Sequence, residues 1–435
     1  MVPLVISSIA ALALAWAAPA LFWIALAGIV ALAVLFLAAR HTTVFCIGWL
    51  LITGMSLEMT LSDLVGPEAF QPTIAVIKAV GIGLAAISAL RWGMRVDGAN
   101  PAWCFAALAL AGLAHGLYPG LTPADSARSL IGSIAPFAFC FVRVPPHWAQ
   151  GILRATRWCP VIAVLGGMVL AAAAIRPLFI DSGGLRLAGL GHPAFLAGVC
   201  LPAIYAGLIS VYRDGKPRDL ALLGINLLLL VLTGARGPLL CAIGVIGLSL
   251  IFISSPAFSA RRRFVLLLAA AALAPLLLVL SDDLASVRLF NLLNTDLSNL
   301  SGREMLWPAF EAAASGSPWF GWGIGAGNVI IPPDGPVAHL LHTWAAHNEY
   351  LRMEVEGGQI GRAMLVGTFT IWVWRRTVPL PRPERLVMRL VFVAFAGHAF
   401  TDNVLISTPA CVLFIFTAAV FAAGRESLPD SRNMA

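Results

Sequence analysis

The chain has 435 residues, of which 60% are apolar and 11% charged, and its mean hydropathy is +0.89. Soluble domains carry about 25% charged residues, so a water-soluble fold is excluded and a polytopic membrane protein is expected. The net charge of +7 has a topological explanation in such a protein, and no nucleic-acid partner is expected.

Apolar segments approaching the ~20 residues that cross a bilayer core fall near 4–18, 20–39, 44–60, 73–90, 102–118, 127–142 and 158–175. They continue near 194–211, 219–234, 237–254, 264–280, 355–374, 387–404 and 407–423. The pattern predicts an all-α membrane protein with about 12 (12–14) transmembrane helices. Residues 1–40 read as two short spans turning near Pro19 rather than as a cleavable signal peptide. The seven cysteines show neither metal spacing nor a disulfide framework and read as small hydrophobes.

Basic residues follow every second segment: Arg40, Arg91 and Arg95, Arg143 to Arg157, Arg213 to Arg218, Arg261 to Arg263, Arg375 to Arg389, and Arg425 with Arg432. The positive-inside rule makes those loops, and both termini, cytoplasmic. Nine of the 28 Lys and Arg lie elsewhere: Lys78, Arg128, Arg176, Arg186, Arg236, Arg288, Arg303, Arg352 and Arg362. Charge near membrane depth costs several kcal/mol unless paired or wetted. Some of the nine are expected to snorkel, and the rest mark function. Arg362, inside the twelfth segment, has no topological account. Glu58 and Asp63, in the first external loop, read as ordinary interfacial polar residues.

These assignments divide the chain into a transmembrane region (1–280), a large external loop (281–346), C-terminal transmembrane helices (347–424) and a cytoplasmic tail (425–435). The external loop's Trp and Phe residues predict an ordered, helix-containing periplasmic subdomain. Ahead of it, "GGLRLAGLGHP" places Arg186 and His192 on the same side, and "LTGARGPLL" puts Arg236 in a very tight external turn. Within the loop, Ser301 to Glu304 fits a capping box opening a helix through about Ala314, kinked at Pro308. Arg303 then sits where free N–H groups suit a phosphate. "GWGIGAGN", Gly321 to Asn328, is no nucleotide loop, and its alternating glycines suit close backbone approach.

"HTWAAHNEYLRMEVEGGQIG", His342 to Gly361, packs titratable groups against an apolar segment. His347 is the candidate general base, because an imidazole takes and returns a proton near neutral pH. His342 is its competitor. A helix starting near Ala345 places Tyr350 and Glu354 on the face of His347, with Asn348, Arg352 and Glu356 on a neighbouring one. No carboxylate pair suited to a divalent metal appears on the external side, and neither metal nor cofactor is expected.

These motifs together resemble the O-antigen ligase and O-antigen polymerase superfamily. "SGREMLW", "SPWFGWGIGAGN" and "HNEYLRMEVEGGQIG" follow the family's order, "TGARG" resembles its Ser-Arg-Gly element with Ala235 in place of Ser, and "HAFTDN" matches its last external turn. The resemblance implies a multi-pass glycosyltransferase of a Gram-negative inner membrane with a periplasmic active site. It implies a glycan donor on undecaprenyl pyrophosphate and lipid A–core as acceptor. It makes His347, Arg236 and Arg303 the catalytic residues. Arg186, His342, Asn348, Tyr350 and Asp402 join Arg236 and Arg303 as substrate-binding candidates. Ligase is the favoured activity, ahead of polymerase; a protein O-oligosaccharyltransferase and a transporter are more distant alternatives.

Overall fold

The computed structural model describes residues 33–279, 288, 305–341 and 343–423, and these are mostly helical. The first expected span, Arg303, His342 and the tail beyond Ala423 lie outside the described residues. The chain opens with α1 (Ala33–Arg40) and α2 (Thr42–Gly54), bent by 105° at their junction. It continues through α3 (Leu57–Val65), α4 (Phe70–Trp92), α5 (Ala102–His115), α6 (Pro123–Ile134) and α7 (Pro146–Ala172). A two-stranded antiparallel hairpin, β1 (Phe179–Asp181) and β2 (Leu185–Leu187), pairs Ile180 with Arg186. Next come α8 (Pro193–Asp214), α9 (Pro217–Leu232), α10 (Arg236–Phe252) and α11 (Ala260–Val279). After α12 (Trp307–Ser315) and α13 (Pro336–Leu341), the bundle is completed by α14 (Glu349–Thr377), α15 (Arg382–His398) and α16 (Thr408–Ala423).

Proline opens α6, α7, α8 and α9, where its missing N–H is no loss and its fixed φ already suits a helix. Pro308 likewise falls in the first turn of α12, so the expected kink is absent and the helix starts at Trp307. The helices α8 and α16 are apolar on every side and are buried along nearly their whole length. A helix without a polar face belongs in the centre of a bundle, and α7, α9 and α15 pack around this pair. Exposed Val, Leu and Ile on α4, α7, α10 and α11 face outward.

By length and apolarity, α4, α7 and α8 suffice to cross a membrane singly, and the bent α1–α2 pair is a fourth candidate. Several of the other expected spans are shorter or more polar among the described residues, for reasons local to each. The segment after residue 127 loses its α-helix at Ile134 and runs on as a 3-10 turn from Ala135 to Phe141, with Pro136 in its opening. The segment at 44–60 breaks after Gly54, where Ser56 takes a left-handed φ of 55° and packs against Gly191.

The twelfth expected span, α14, is broken at Gly358 (φ 62°, ψ −163°). Its interrupted ladder is completed from outside. Trp322 N–H donates to Val355 O (2.8 Å) and Gly323 N–H to Glu356 O (3.0 Å). Gln359 N–H reaches Pro318 O (2.8 Å) and Ile360 N–H reaches Trp319 O (3.2 Å). This explains the alternating glycines. A Cβ on Gly321 would lie 2.3 Å from Gly357 N, and one on Gly358 would lie 2.3 Å from the Trp319 carbonyl carbon. The close approach expected of "GWGIGAGN" is therefore met, and its partner is the α14 backbone.

One end of the bundle is tied by basic side chains. Arg157 meets Asp219 at 2.6 Å, Arg213 forks onto Glu384 at 3.0 and 2.9 Å, and Arg376 meets Asp97 at 2.8 Å. This basic end gathers the loops that the positive-inside rule grouped together. At or towards the opposite end, most leftover cations have specific partners. Lys78 Nζ donates to Ile406 O (2.8 Å), Arg176 pairs with Asp63 (3.1 Å), and Arg362 bonds Glu354 (2.9 Å) and Gln359 (2.6 Å). Glu58 corrects the interfacial reading: it is fully buried, and its Oε1 accepts the Thr408 hydroxyl at 2.6 Å.

Candidate active site

Asn348, rather than Ala345, starts α14. Its side-chain oxygen accepts the N–H groups of Tyr350 (3.0 Å) and Leu351 (3.1 Å), a strong N-cap. His347 therefore precedes the helix instead of lying on its face, and it adopts a left-handed φ of 47°. For a non-glycine residue that conformation costs of order 1 kcal/mol or more and persists only where the surroundings enforce it. Here they do so from two sides. Trp307 Nε1 on α12 donates to Ala346 O (2.9 Å), and Glu349 N–H donates to Ala399 O at the end of α15 (2.8 Å).

The His347 ring is fixed at both nitrogens. Nδ1 lies 3.0 Å from Asp402 Oδ1, and Nε2 lies 3.0 Å from Thr343 Oγ1. A carboxylate beside Nδ1 holds the proton there and leaves the Nε2 lone pair free to accept one, a lone pair that the Thr343 hydroxyl meets. Asp402 is itself oriented, since its Oδ1 also accepts the Asn403 N–H at 2.8 Å. His398 Nε2 stands 3.7 Å from the other carboxylate oxygen. The histidine and carboxylate side chains are 21% and 32% exposed, so the ring is reachable.

Beneath this pair sits a charged triad. Arg352 Nε donates to Glu349 Oε2 (2.6 Å) and Arg352 Nη1 to Glu356 Oε2 (2.9 Å), with all three residues buried. Glu349 Oε1 also accepts the Leu405 N–H (2.8 Å), fastening the loop that carries Asp402 to the first turn of α14. The Tyr350 hydroxyl donates to Ala396 O (2.8 Å) and braces α15. Asn348 and Tyr350, expected as substrate ligands, thus have structural partners.

Arg236 reaches the same corner through its neighbour. It opens α10, and a Cβ on Gly237 would lie 3.3 Å from the His398 ring and 3.5 Å from Thr401 Oγ1. The turn before it, Thr233 to Ala235, has Gly234 at φ 65° and is gripped by Arg186, whose Nε donates to Thr233 O at 2.8 Å. Arg288 packs over Gly184 and Gly234 and bonds Ser182. Three of the four arginines in this neighbourhood, Arg176, Arg186 and Arg288, act on His192. Burial first, and then those three cations, push its pKa down from 6.5 to about 4. Arg288 and Thr343 were not singled out as site residues by sequence reasoning, although Arg288 already stood among the topologically unexplained cations.

The His192 shift makes a measurable prediction. An unfolded His192 titrates near 6.5 and the folded one near 4, so the unfolded chain binds more protons between those values. The contribution is fully present above pH 6.5 and is lost as pH falls towards 4. The thermal midpoint of the purified protein should therefore drop over that window, and His192→Gln should flatten the slope. An unchanged slope in that variant would refute the assignment.

Residues 221–366 match the family model for O-antigen ligase. The chain carries an O-antigen ligase domain. No curated protein matches the chain at a significant level. The O-antigen ligase match begins in α9 and ends within α14 past its break, so it encloses Arg236, the glycine loop, His347 and the Arg352 triad. Arg186 and Asp402 lie outside the matched span, and the fold is what adds them. An O-antigen ligase domain in a helical chain with membrane-length apolar helices supports glycan transfer of the ligase or polymerase type.

Proposed function

We propose that this protein is an O-antigen ligase of a Gram-negative inner membrane, transferring a glycan from undecaprenyl pyrophosphate to a sugar hydroxyl of lipid A–core. The observation that carries this reading is the His347–Asp402 pair at 3.0 Å, set beside the Arg236 turn. The basic end faces the cytoplasm in this reading, which turns the site to the periplasm.

The acceptor hydroxyl takes the position at Nε2 that Thr343 holds, within the reach that proton transfer needs. As that oxygen attacks the anomeric carbon, its proton passes to Nε2 and Asp402 stabilises the resulting imidazolium. The bond from the anomeric carbon to the pyrophosphate oxygen breaks with inversion. Arg236, Arg186 and Arg303 stabilise the charge that develops on the departing lipid pyrophosphate. Arg288, beside Gly234, belongs with them.

The test uses purified protein, a lipid-linked glycan, and either lipid A–core or a second lipid-linked glycan as acceptor. Glycosylated lipid A–core is the expected product. Transfer only onto the second lipid-linked glycan would make the protein a polymerase, and transfer to neither would end the reading.

A further inference from the structure

Lys78 lies within the apolar α4 and is buried, with 7% of its surface exposed. A cation held there is costly unless its contacts compensate, and the transfer step described above does not use it. Its Nζ donates to two backbone carbonyls, Gly132 O at 3.2 Å and Ile406 O at 2.8 Å. Gly132 O is available because of a proline. In a continuing α-helix it would accept the N–H of residue 136, which is Pro136, and the Ala135 N–H is already given to Ile131 O. Lys78 supplies the donor that Pro136 lacks, and so ties α4 to the end of α6.

Ile406 belongs to the loop between α15 and α16 that carries Asp402. Three buried charged side chains grip this stretch at nearly consecutive residues. Glu349 Oε1 accepts the Leu405 N–H (2.8 Å), Lys78 Nζ donates to Ile406 O, and Glu58 Oε1 accepts the Thr408 hydroxyl (2.6 Å). They come from α14, α4 and α3, so elements remote in sequence fix the position of one short segment. Between Asp402 and Ile406, Val404 and Leu405 are buried, which leaves little slack to absorb a shift. Lys78 is itself held in place. The neighbouring Ile77 O accepts Trp49 Nε1 (2.8 Å), and that indole lies over Gly81, where a Cβ would stand 2.4 Å from the ring. The Glu58 carboxylate supplies an attractive opposite charge.

We propose that Lys78 is a positioning residue for the glycan transfer proposed above, holding Asp402 against His347 Nδ1 through the Ile406 carbonyl. Without the ammonium, Gly132 O and Ile406 O both lose a donor, the loop relaxes, and the 3.0 Å contact between Asp402 and His347 loosens. A lysine that only braced the bundle would change how much enzyme is folded. A positioning lysine changes what Asp402 contributes to each turnover.

The test is a double-mutant cycle on transfer by the full-length protein in detergent, with wild type, Lys78→Met, Asp402→Asn and the combined variant compared per mole of folded protein. Lys78→Met keeps most of the stem, removes the ammonium, and should lower transfer about 10–100-fold. In the Asp402→Asn background the same substitution should cost less than about twofold, because the contact through which it acts is already gone. Lys78→Gln, with an N–H donor on a shorter stem, should show the same pattern at smaller amplitude and provides the readout if Lys78→Met does not fold. Losses that multiply in the combined variant overturn the proposal, and so does wild-type turnover in the folded Lys78 variants. Absence of transfer by the wild-type protein onto any acceptor is a separate result, which ends the glycan-transfer reading and this role with it.

Discussion

His347→Ala should reduce glycan transfer by about 10²–10⁴-fold, the contribution expected of a positioned general base, while the lipid-linked donor is still retained. In the proposed mechanism the donor is held by the arginines around the Thr233–Ala235 turn, and the substitution leaves Arg186 on Thr233 O untouched. Asp402→Asn should cause a loss of similar kind. An amide at 3.0 Å can donate to Nδ1, which drives the ring proton to Nε2 and removes the accepting lone pair. The assay is turnover in purified protein beside capture of the lipid-linked donor. Wild-type turnover in His347→Ala would remove the histidine from the chemistry, and lost donor capture would make it a binding residue instead.

The helical character of the chain was legible in the sequence because apolarity is a local property. Apolar runs report burial residue by residue, and α4, α5, α8 to α11 and α16 fall within a few residues of them. His347 stood out because "HNEYLRMEVEGG" is polar in an apolar chain. What the sequence reading missed is non-local or conformational. The Asp402 partner lies 55 residues away, and no period links the two. Asn348 is a good N-cap residue, but locating the helix start there also required His347 to adopt a positive φ. The break in α14 follows from Gly358 meeting the 318–323 backbone, and neither segment shows it alone. Glu58 followed an apolar run and so read as interfacial, whereas α3 and α16 close over it. Arg362, unexplained by topology, is answered by Glu354 across that break and by Gln359 on its own side of it.

Arg352→Met should destabilise the protein by about 3–5 kcal/mol, because it strands Glu349 and Glu356 as unpaired buried carboxylates. The two glutamates hold more than the arginine. Glu349 fastens the Asp402 loop through the Leu405 N–H, and Glu356 accepts from the Gly325 backbone of the glycine loop. Both are tasks for an acceptor oxygen, and an amide oxygen performs them as well as a carboxylate. The combined variant Glu349→Gln/Arg352→Met/Glu356→Gln should therefore recover most of the stability, since neutral groups of similar shape replace a buried triad at little cost. Recovery of transfer along with stability would show that the triad positions Asp402 by hydrogen bonding rather than by its charge. Thermal midpoints of the single and triple variants in the same detergent decide the matter. A single variant as stable as wild type would mean that water reaches the glutamates and that the triad is not the brace beneath His347.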